Sequence, residues 1–297
     1  MRREIGIIGI FICIGMGFGL GWIVPAYVLE EKTCPTCPDC PDCPDCPDCP
    51  DCPDCPDCPV CPVEPEETLV DLIKARGELI VGTSADYPPF EFYNFTSGKI
   101  EGFDIDLSEL IADELGVNLT MIDMSFDSLI SACNTSTIDM IAAAMTYTEG
   151  RAGVLAPSIT YITVSQVVIA KNDSGYTITS IDNITDYVVG VQNGTIMYEE
   201  LESLGMTPGV NLIAYNNTSD LMVALDSGGI DMAYVDEPVY TAWSNTYALE
   251  VLFSTGSEPL ALWTRYGEPE FLYLINKVIF EAYLSGIIYN LMKIWFG

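Results

Sequence analysis

Residues 143–151, AAMTYTEGR, hold the groups whose chemistry orders the rest of the chain. Small residues leave the backbone open, Thr146 offers a hydroxyl, and Arg151 is one of only three arginines beyond residue 70. Main-chain carbonyls and a hydroxyl accept from an ammonium, while a guanidinium makes a two-pronged contact with a carboxylate. Such a loop can hold both ends of a zwitterion; an ordinary surface arginine is the plainer alternative, and these residues alone leave both open. Two other positions carry complementary groups. Gly194 and Thr195 open a helix whose free N–H groups and positive dipole end suit a carboxylate. Asp236, at the end of the expected strand 230–235, supplies negative charge for an ammonium, or else caps a helix before Pro238.

Composition limits the other chemistry. The 297 residues contain no histidine, which excludes a serine–histidine triad and a histidine zinc site. A formal charge of −32 argues against nucleic acid and anionic membrane surfaces as partners, and suits an exported protein or a high-salt habitat. Hydrophobic residues at 49% suffice for one or two ordinary cores. No cofactor is called for.

The elements that must position these groups follow from periodicity and punctuation. Residues 68–75 predict a short amphipathic helix, and 78–83 a strand ending in SADYPPFEF. A helix over 105–115 takes Asp104 as its cap and Gly116 as its stop. Strand 118–121, helix 126–133 and strand 138–144 complete the first half. The second half repeats the pattern with strand 187–192, helix from 194, strand 211–215, helix 218–226 and strand 230–235. Strands alternating with helices imply an α/β fold with a largely parallel sheet, whose ligands lie beyond the carboxyl ends of the strands.

Ahead of the folded part stand Arg2, Arg3 and an uncharged apolar stretch, residues 5–29. About 20 apolar residues span a bilayer, so residues 1–31 predict a cytoplasmic tip and a single transmembrane anchor, with the arginines inside. A cleaved signal peptide competes, but would have a shorter apolar core and a clear small-residue cleavage site. Residues 32–67 form a Cys-Pro-Asp spacer. Cys34, Cys37, Cys40, Cys43, Cys46, Cys49, Cys52, Cys55, Cys58 and Cys61 recur at a period of three. Proline at that period favours polyproline II, a rod on the order of 85 Å long with all ten thiols along one edge. Neighbouring cysteines, about 9 Å apart, are too distant to pair within one chain, whereas two parallel chains can pair rung by rung. A disulfide-linked homo-oligomer is therefore expected in an oxidising exterior. Metal binding by the thiols and a simple low-complexity spacer stay open.

From about residue 78 to 297 the chain resembles the extracellular solute-binding proteins of polar amino acid uptake, solute-binding family 3. The motifs that carry the resemblance are YPPFEF, GFDIDL at 102–107, MTYTEGR, VGVQNGT at 189–195, VDEP at 235–238 and the closing KIWFG. The family implies a two-lobed periplasmic-binding-protein-like fold (type II) joined by two hinge strands, crossing near 161–165 and 259–262. Lobe 1 would comprise 68–161 plus 260–297, and lobe 2 would comprise 162–259. By motif, Arg151 and the N–H groups of Gly194 and Thr195 would hold an α-carboxylate. Ala144, Thr146 and Asp236 would hold an α-ammonium, with Tyr87 and Phe126 flanking the ligand side chain; core aromatics are the alternative for those two.

The chain departs from the family at two places. Ser84 stands where many relatives that bind basic or amide side chains carry an acid, and Ala144 replaces a common glycine. Asp86, Glu91 and Gln192 are the nearby polar groups, and a polar or uncharged amino acid is expected. The resemblance implies an ABC transporter permease as partner. A sensor ectodomain and, lower, a cyclic amino acid dehydratase share the fold; with no histidine, the latter would need a carboxylate such as Glu91 or a lysine as acid. Finally, Asn94, Asn118, Asn134, Asn172, Asn183, Asn193, Asn216 and Asn217 all stand in the N-glycosylation acceptor pattern. With the anchor, this suggests the outer face of a glycosylating cell, an archaeal one fitting best, with Asn193 in the cleft and unmodified.

Overall fold

The structure, a computed structural model, describes residues 67–297. The apolar stretch 5–29 and the cysteines of 34–61 lie outside the described residues, and so do the expectations placed on them. Helix α1 (Leu69–Arg76) is started by a capping box, in which Thr68 and Asp71 each accept the other's backbone N–H. Gly77, left-handed at φ 74°, stops it and turns the chain into β1 (Glu78–Thr83). Short strands β2 (Asp86–Tyr87), β3 (Glu91–Asn94) and β4 (Lys99–Glu101) form an antiparallel flap.

Helix α2 (Phe103–Leu115) corrects the expectation that Asp104 is a cap. Gly102 holds that position at φ 144°, where a Cβ would lie 2.1 Å from the Phe90 carbonyl oxygen, so the helix starts against a backbone only glycine can approach. Asp104 then falls inside the first turn and is fully buried. Its Oδ2 accepts from the Ala144 N–H at 2.8 Å and the Tyr161 hydroxyl at 2.9 Å.

Strand β5 (Asn118–Asp123), a 3-10 turn at Phe126–Ser128, α3 (Leu129–Asn134), β6 (Met140–Ile141), α4 (Glu149–Ala152) and β7 (Ala156–Pro157) follow. The expected strand 138–144 shrinks to the two residues of β6. Ala144 adopts φ 45°, which turns the chain out of extended geometry, and its N–H goes to Asp104 instead of a strand neighbour.

The chain then climbs β8 (Ile162–Lys171) into a second layer. This layer holds a 3-10 turn at Ile181–Ile184, β9 (Val189–Gln192), α5 (Ile196–Ser203), β10 (Leu212–Tyr215), α6 (Thr218–Ser227), β11 (Met232–Asp236) and α7 (Glu237–Trp243). Strand β12 (Leu249–Leu260) returns to β13 (Trp263–Thr264), and α8 (Pro269–Leu284) and α9 (Ile287–Trp295) close the chain.

The result is two lobes, each with a five-stranded mixed sheet, in the orders β5-β1-β6-β13-β7 and β10-β9-β11-β8-β12. In each, four strands point the same way and one is reversed, β13 in the first and β8 in the second, so the sheets are largely parallel in strand direction although only half of their pairings are parallel. The reversed strands lie where the chain crosses between lobes: β8 follows the first crossing, and β13 follows the return along β12.

Each sheet is covered on both faces. Leu69, Ile73, Leu107, Ile111, Phe271 and Ile275 pack on one face of the first, while Leu129, Ile138 and Trp263 fill the other. Fully burying such side chains contributes about 1.5–3 kcal/mol each. The C-terminal motif seals the flap: the Trp295 indole donates to Asp106 at 2.7 Å, and Phe296 packs edge-on against Phe90. Among the described residues no single helix is long and apolar enough to cross a membrane.

Candidate functional site

The carboxyl ends of β1, β6, β9 and β11 face one another across the gap between the sheets. They surround a small cavity of about 20 Å³, enough for about one water. Of the residues named from sequence, Tyr87, Phe126, Ala144, Thr146, Arg151, Gln192, Thr195 and Asp236 line it. Ser84 and Gly194 do not line it but touch groups that do.

Arg151 is placed by a local device. The Thr148 hydroxyl caps α4 by accepting the Arg151 N–H at 3.1 Å, which turns the side chain inward, where the residue is 7% exposed. Its guanidinium donates to the Thr146 carbonyl at 2.8 Å and, across the gap, to the Gly194 carbonyl at 3.1 Å. It also lies 5.5 Å over the Phe126 ring. Burial draws its pKa down to about 10, so it stays cationic at neutral pH. Phe126 packs in the core with Leu129 and Ile138 and also lines the cavity.

Opposite Arg151, the β9–α5 turn needs glycine at 194. Gly194 has φ 77°, and a Cβ there would come within 2.9 Å of the Asp127 Cβ from the other lobe. Thr195 stands at the N-cap of α5, yet its hydroxyl donates back to the Gln192 carbonyl at 2.7 Å and makes no side-chain cap. The first-turn N–H groups of α5 are therefore not served by that hydroxyl.

Asp236 occupies the N-cap position of α7 without making a capping bond. Its Oδ2 accepts from the Tyr87 hydroxyl at 2.8 Å across the gap. Its Oδ1 is buried and has no partner among the described residues. Burial pushes the carboxyl up to about 7. A buried acceptor without a donor costs about 1–3 kcal/mol, so this oxygen is a strong receptor for a cationic N–H donor.

At the other end, Ser84 Oγ donates to Asp86 Oδ1 at 2.8 Å. The Gln192 amide lies 3.4 Å from Ser84 Oγ and from Asp86 Oδ2, while the backbone N–H of Thr218, opening α6, also donates to Asp86. Burial raises the Asp86 carboxyl, and these donors partly offset it. Glu91 is buried and does not line the cavity. Burial holds it well above the usual carboxylate range, and the Asp104, Asp86 and Asp236 charges push the same way.

Ala143, Ile196 and Met197 also line the cavity and were not anticipated. The available signal was position: Ile196 and Met197 directly follow a helix-opening turn at the end of a strand, so they form the first turn facing the gap. Met197 is fixed there by the Gln166 amide, 3.3 Å from its sulfur.

Residues 79–297 match the family of bacterial extracellular solute-binding proteins, family 3. The chain is 29% identical to the L-cystine-binding protein TcyJ of Escherichia coli over 238 residues, 78% of this chain and 87% of that protein. It is 35% identical over 162 residues to the arginine-binding extracellular protein ArtP of Bacillus subtilis; this match covers 54% of the chain and 62% of ArtP. Among solved structures, a mutant of ArgBP from T. maritima superposes with a TM-score of 0.73 at 34% identity, covering 76% of this chain and 98% of that one. The ancestral amino acid-binding protein AncCDT-1, a precursor of cyclohexadienyl dehydratase, gives 0.71 at 32% identity over 77% and 99%.

Proposed function

Because the chain belongs to the bacterial extracellular solute-binding proteins, family 3, we propose that it captures a free α-amino acid between its lobes for uptake by an ABC transporter. The observation that carries this is the pairing of opposite charges on one cavity: Arg151 on one side, and on the other Asp236 with a buried oxygen that lacks a donor. In this reading Arg151 and the amino end of α5 take the α-carboxylate. Asp236, the Thr146 hydroxyl and the Ala144 backbone take the α-ammonium. The ligand side chain points toward Gln192, Ser84 and Asp86, which favours a polar group. Asp236 and Asp86 outnumber Arg151 at the cleft, so basic amino acids come first, in keeping with a relative named for arginine.

Binding is preferred to turnover because the family is one of solute-binding proteins; Glu91 does not line the cavity, and Asp236, the acid that does, is assigned to the α-ammonium. The apolar stretch 5–29 and the repeat 34–61 extend the reading from sequence alone. They act as a single-pass anchor and a spacer, with interchain cysteine pairing, that present the lobes 68–161 plus 260–297 and 162–259 on the outer face of the cell. Calorimetric titration of the protein with the twenty amino acids and cystine tests the core of the proposal. One or a few should bind with one-to-one stoichiometry, and binding of none of them would overturn it.

A further inference from the structure

Eight of the twelve asparagines begin an Asn-X-Ser/Thr triplet, whereas random placement of the 40 serines and threonines among 297 residues would complete about two. The structure divides the eight into two groups by what their amide nitrogens do. In Asn94, Asn193 and Asn217 the nitrogen already donates to a carboxylate, Glu101 at 2.6 Å, Asp127 at 2.9 Å and Asp220 at 2.7 Å respectively. All three residues are half-buried, and each bond has a structural task. Asn94 shapes the β3–β4 turn, Asn193 bridges the lobes beside Gly194, and Asn217 caps α6.

Asn118, Asn134, Asn172, Asn183 and Asn216 differ in both respects. All five are exposed, and their amide nitrogens donate to nothing among the described residues. None lines the cavity. We propose that the protein is N-glycosylated only within these five positions and that the other three are left bare. The amide nitrogen attacks C1 of an oligosaccharide carried on a lipid phosphate. The C1–O bond to phosphate breaks, the N–C1 bond forms, and the lipid phosphate leaves with the bonding pair as the amide proton is lost. A glycan at Asn94, Asn193 or Asn217 would displace the carboxylate bond that holds its turn, cleft or helix start. At the other five it meets only solvent. Two of the sites stand at exposed sheet edges: Asn118 opens β5 and Asn216 directly follows β10, one edge strand of each sheet.

The inference rests on the extracellular placement of the family and is independent of which amino acid binds. The test is peptide mapping by mass spectrometry of the protein taken from its own cells, beside a variant with Asn→Gln at all five positions. Glycan mass is expected on one or more of the five and on none of the three, and the five-site variant should run at the mass of the bare chain. A wild-type protein of bare-chain mass, a glycan on Asn94, Asn193 or Asn217, or a residual glycan on the five-site variant would each overturn the proposal. The wild-type map decides the matter even where the variant fails to accumulate.

Discussion

Ligand affinity should depend on pH through Asp236. Burial raises this carboxyl from an ordinary 3.8 to about 7, and its Oδ1 lacks a donor. An ammonium placed against it pairs with the ionised form only, so binding must first remove whatever proton the site holds. With a value near 7, about one tenth of the sites are ionised at pH 6 and about nine tenths at pH 8. Apparent affinity should therefore rise about tenfold between those pH values, or about 1.4 kcal/mol. At pH 7, binding should release about half a proton, measurable by titration calorimetry in buffers of different ionisation enthalpy. The stability of the free protein should run the other way. A carboxyl whose folded value is raised contributes stability that is fully present below its unfolded value and lost as pH climbs through the folded one. Asp236 and Asp104, both near 7, thus make the ligand-free protein less stable from about pH 4 to above 7. Asp104 keeps its bonds to Ala144 and Tyr161 and does not line the cavity, so its titration should cancel from the affinity. Asp236→Asn keeps an acceptor for Tyr87, should flatten the pH response and should weaken binding at pH 8 by about 2–5 kcal/mol. A wild type whose affinity is constant from pH 6 to 8, or an Asn variant with an unchanged pH slope, would refute the assignment.

Arg151→Ala should abolish the thermal shift that a bound amino acid gives; in the wild type, ligand at 100 times its dissociation constant stabilises by about 2.7 kcal/mol. A retained shift would place the carboxylate elsewhere. Gly194→Ala forces a Cβ into the left-handed region and against Asp127, so it should cost about 1–2 kcal/mol of backbone strain and weaken binding beyond that by blocking approach of the lobes. Affinity equal to wild type by calorimetry would contradict it. Gly102→Ala drives a Cβ into the Phe90 carbonyl and should lower the denaturant midpoint more than Gly228→Ala, where a Cβ meets nothing within 4 Å, although both are left-handed. Equal losses would mean that conformation alone decides both positions.

Much of the candidate site was legible because its groups follow apolar runs. Thr146, Gln192, Thr195 and Asp236 each come at or soon after the end of a strand, where hydropathy drops and a polar residue has few structural tasks. What local pattern could not reveal was partnership across the gap. Tyr87 and Asp236 are 149 residues apart, and nothing near either one indicates that the phenol donates to the carboxylate. Asp104 was misplaced for a similar reason. An acid at the start of a helical pattern looks like a cap, and the feature that moves the cap to Gly102 is the distant backbone of Phe90. The antiparallel pairing of β12 with β8 was also hidden, because β12 alternates imperfectly and much of it is only half-buried.

The pairing of β8 with β12 has a mechanical consequence. The two crossing strands are laced into one ribbon from Leu249 opposite Lys171 to Leu260 opposite Ile162, with the register shifts lying between Val251 and Ser257, short of the crossing itself. A laced ribbon resists stretch and in-plane shear, because its rungs fix the strand spacing, and yields mainly to flexing across its face. The lobes are thereby left with close to a single degree of freedom. Each opening stroke returns along the path it left by, so Arg151 meets Gly194, and Tyr87 meets Asp236, without a search through misaligned encounters. The stiffness of that ribbon then joins the cavity groups in setting how readily the lobes part.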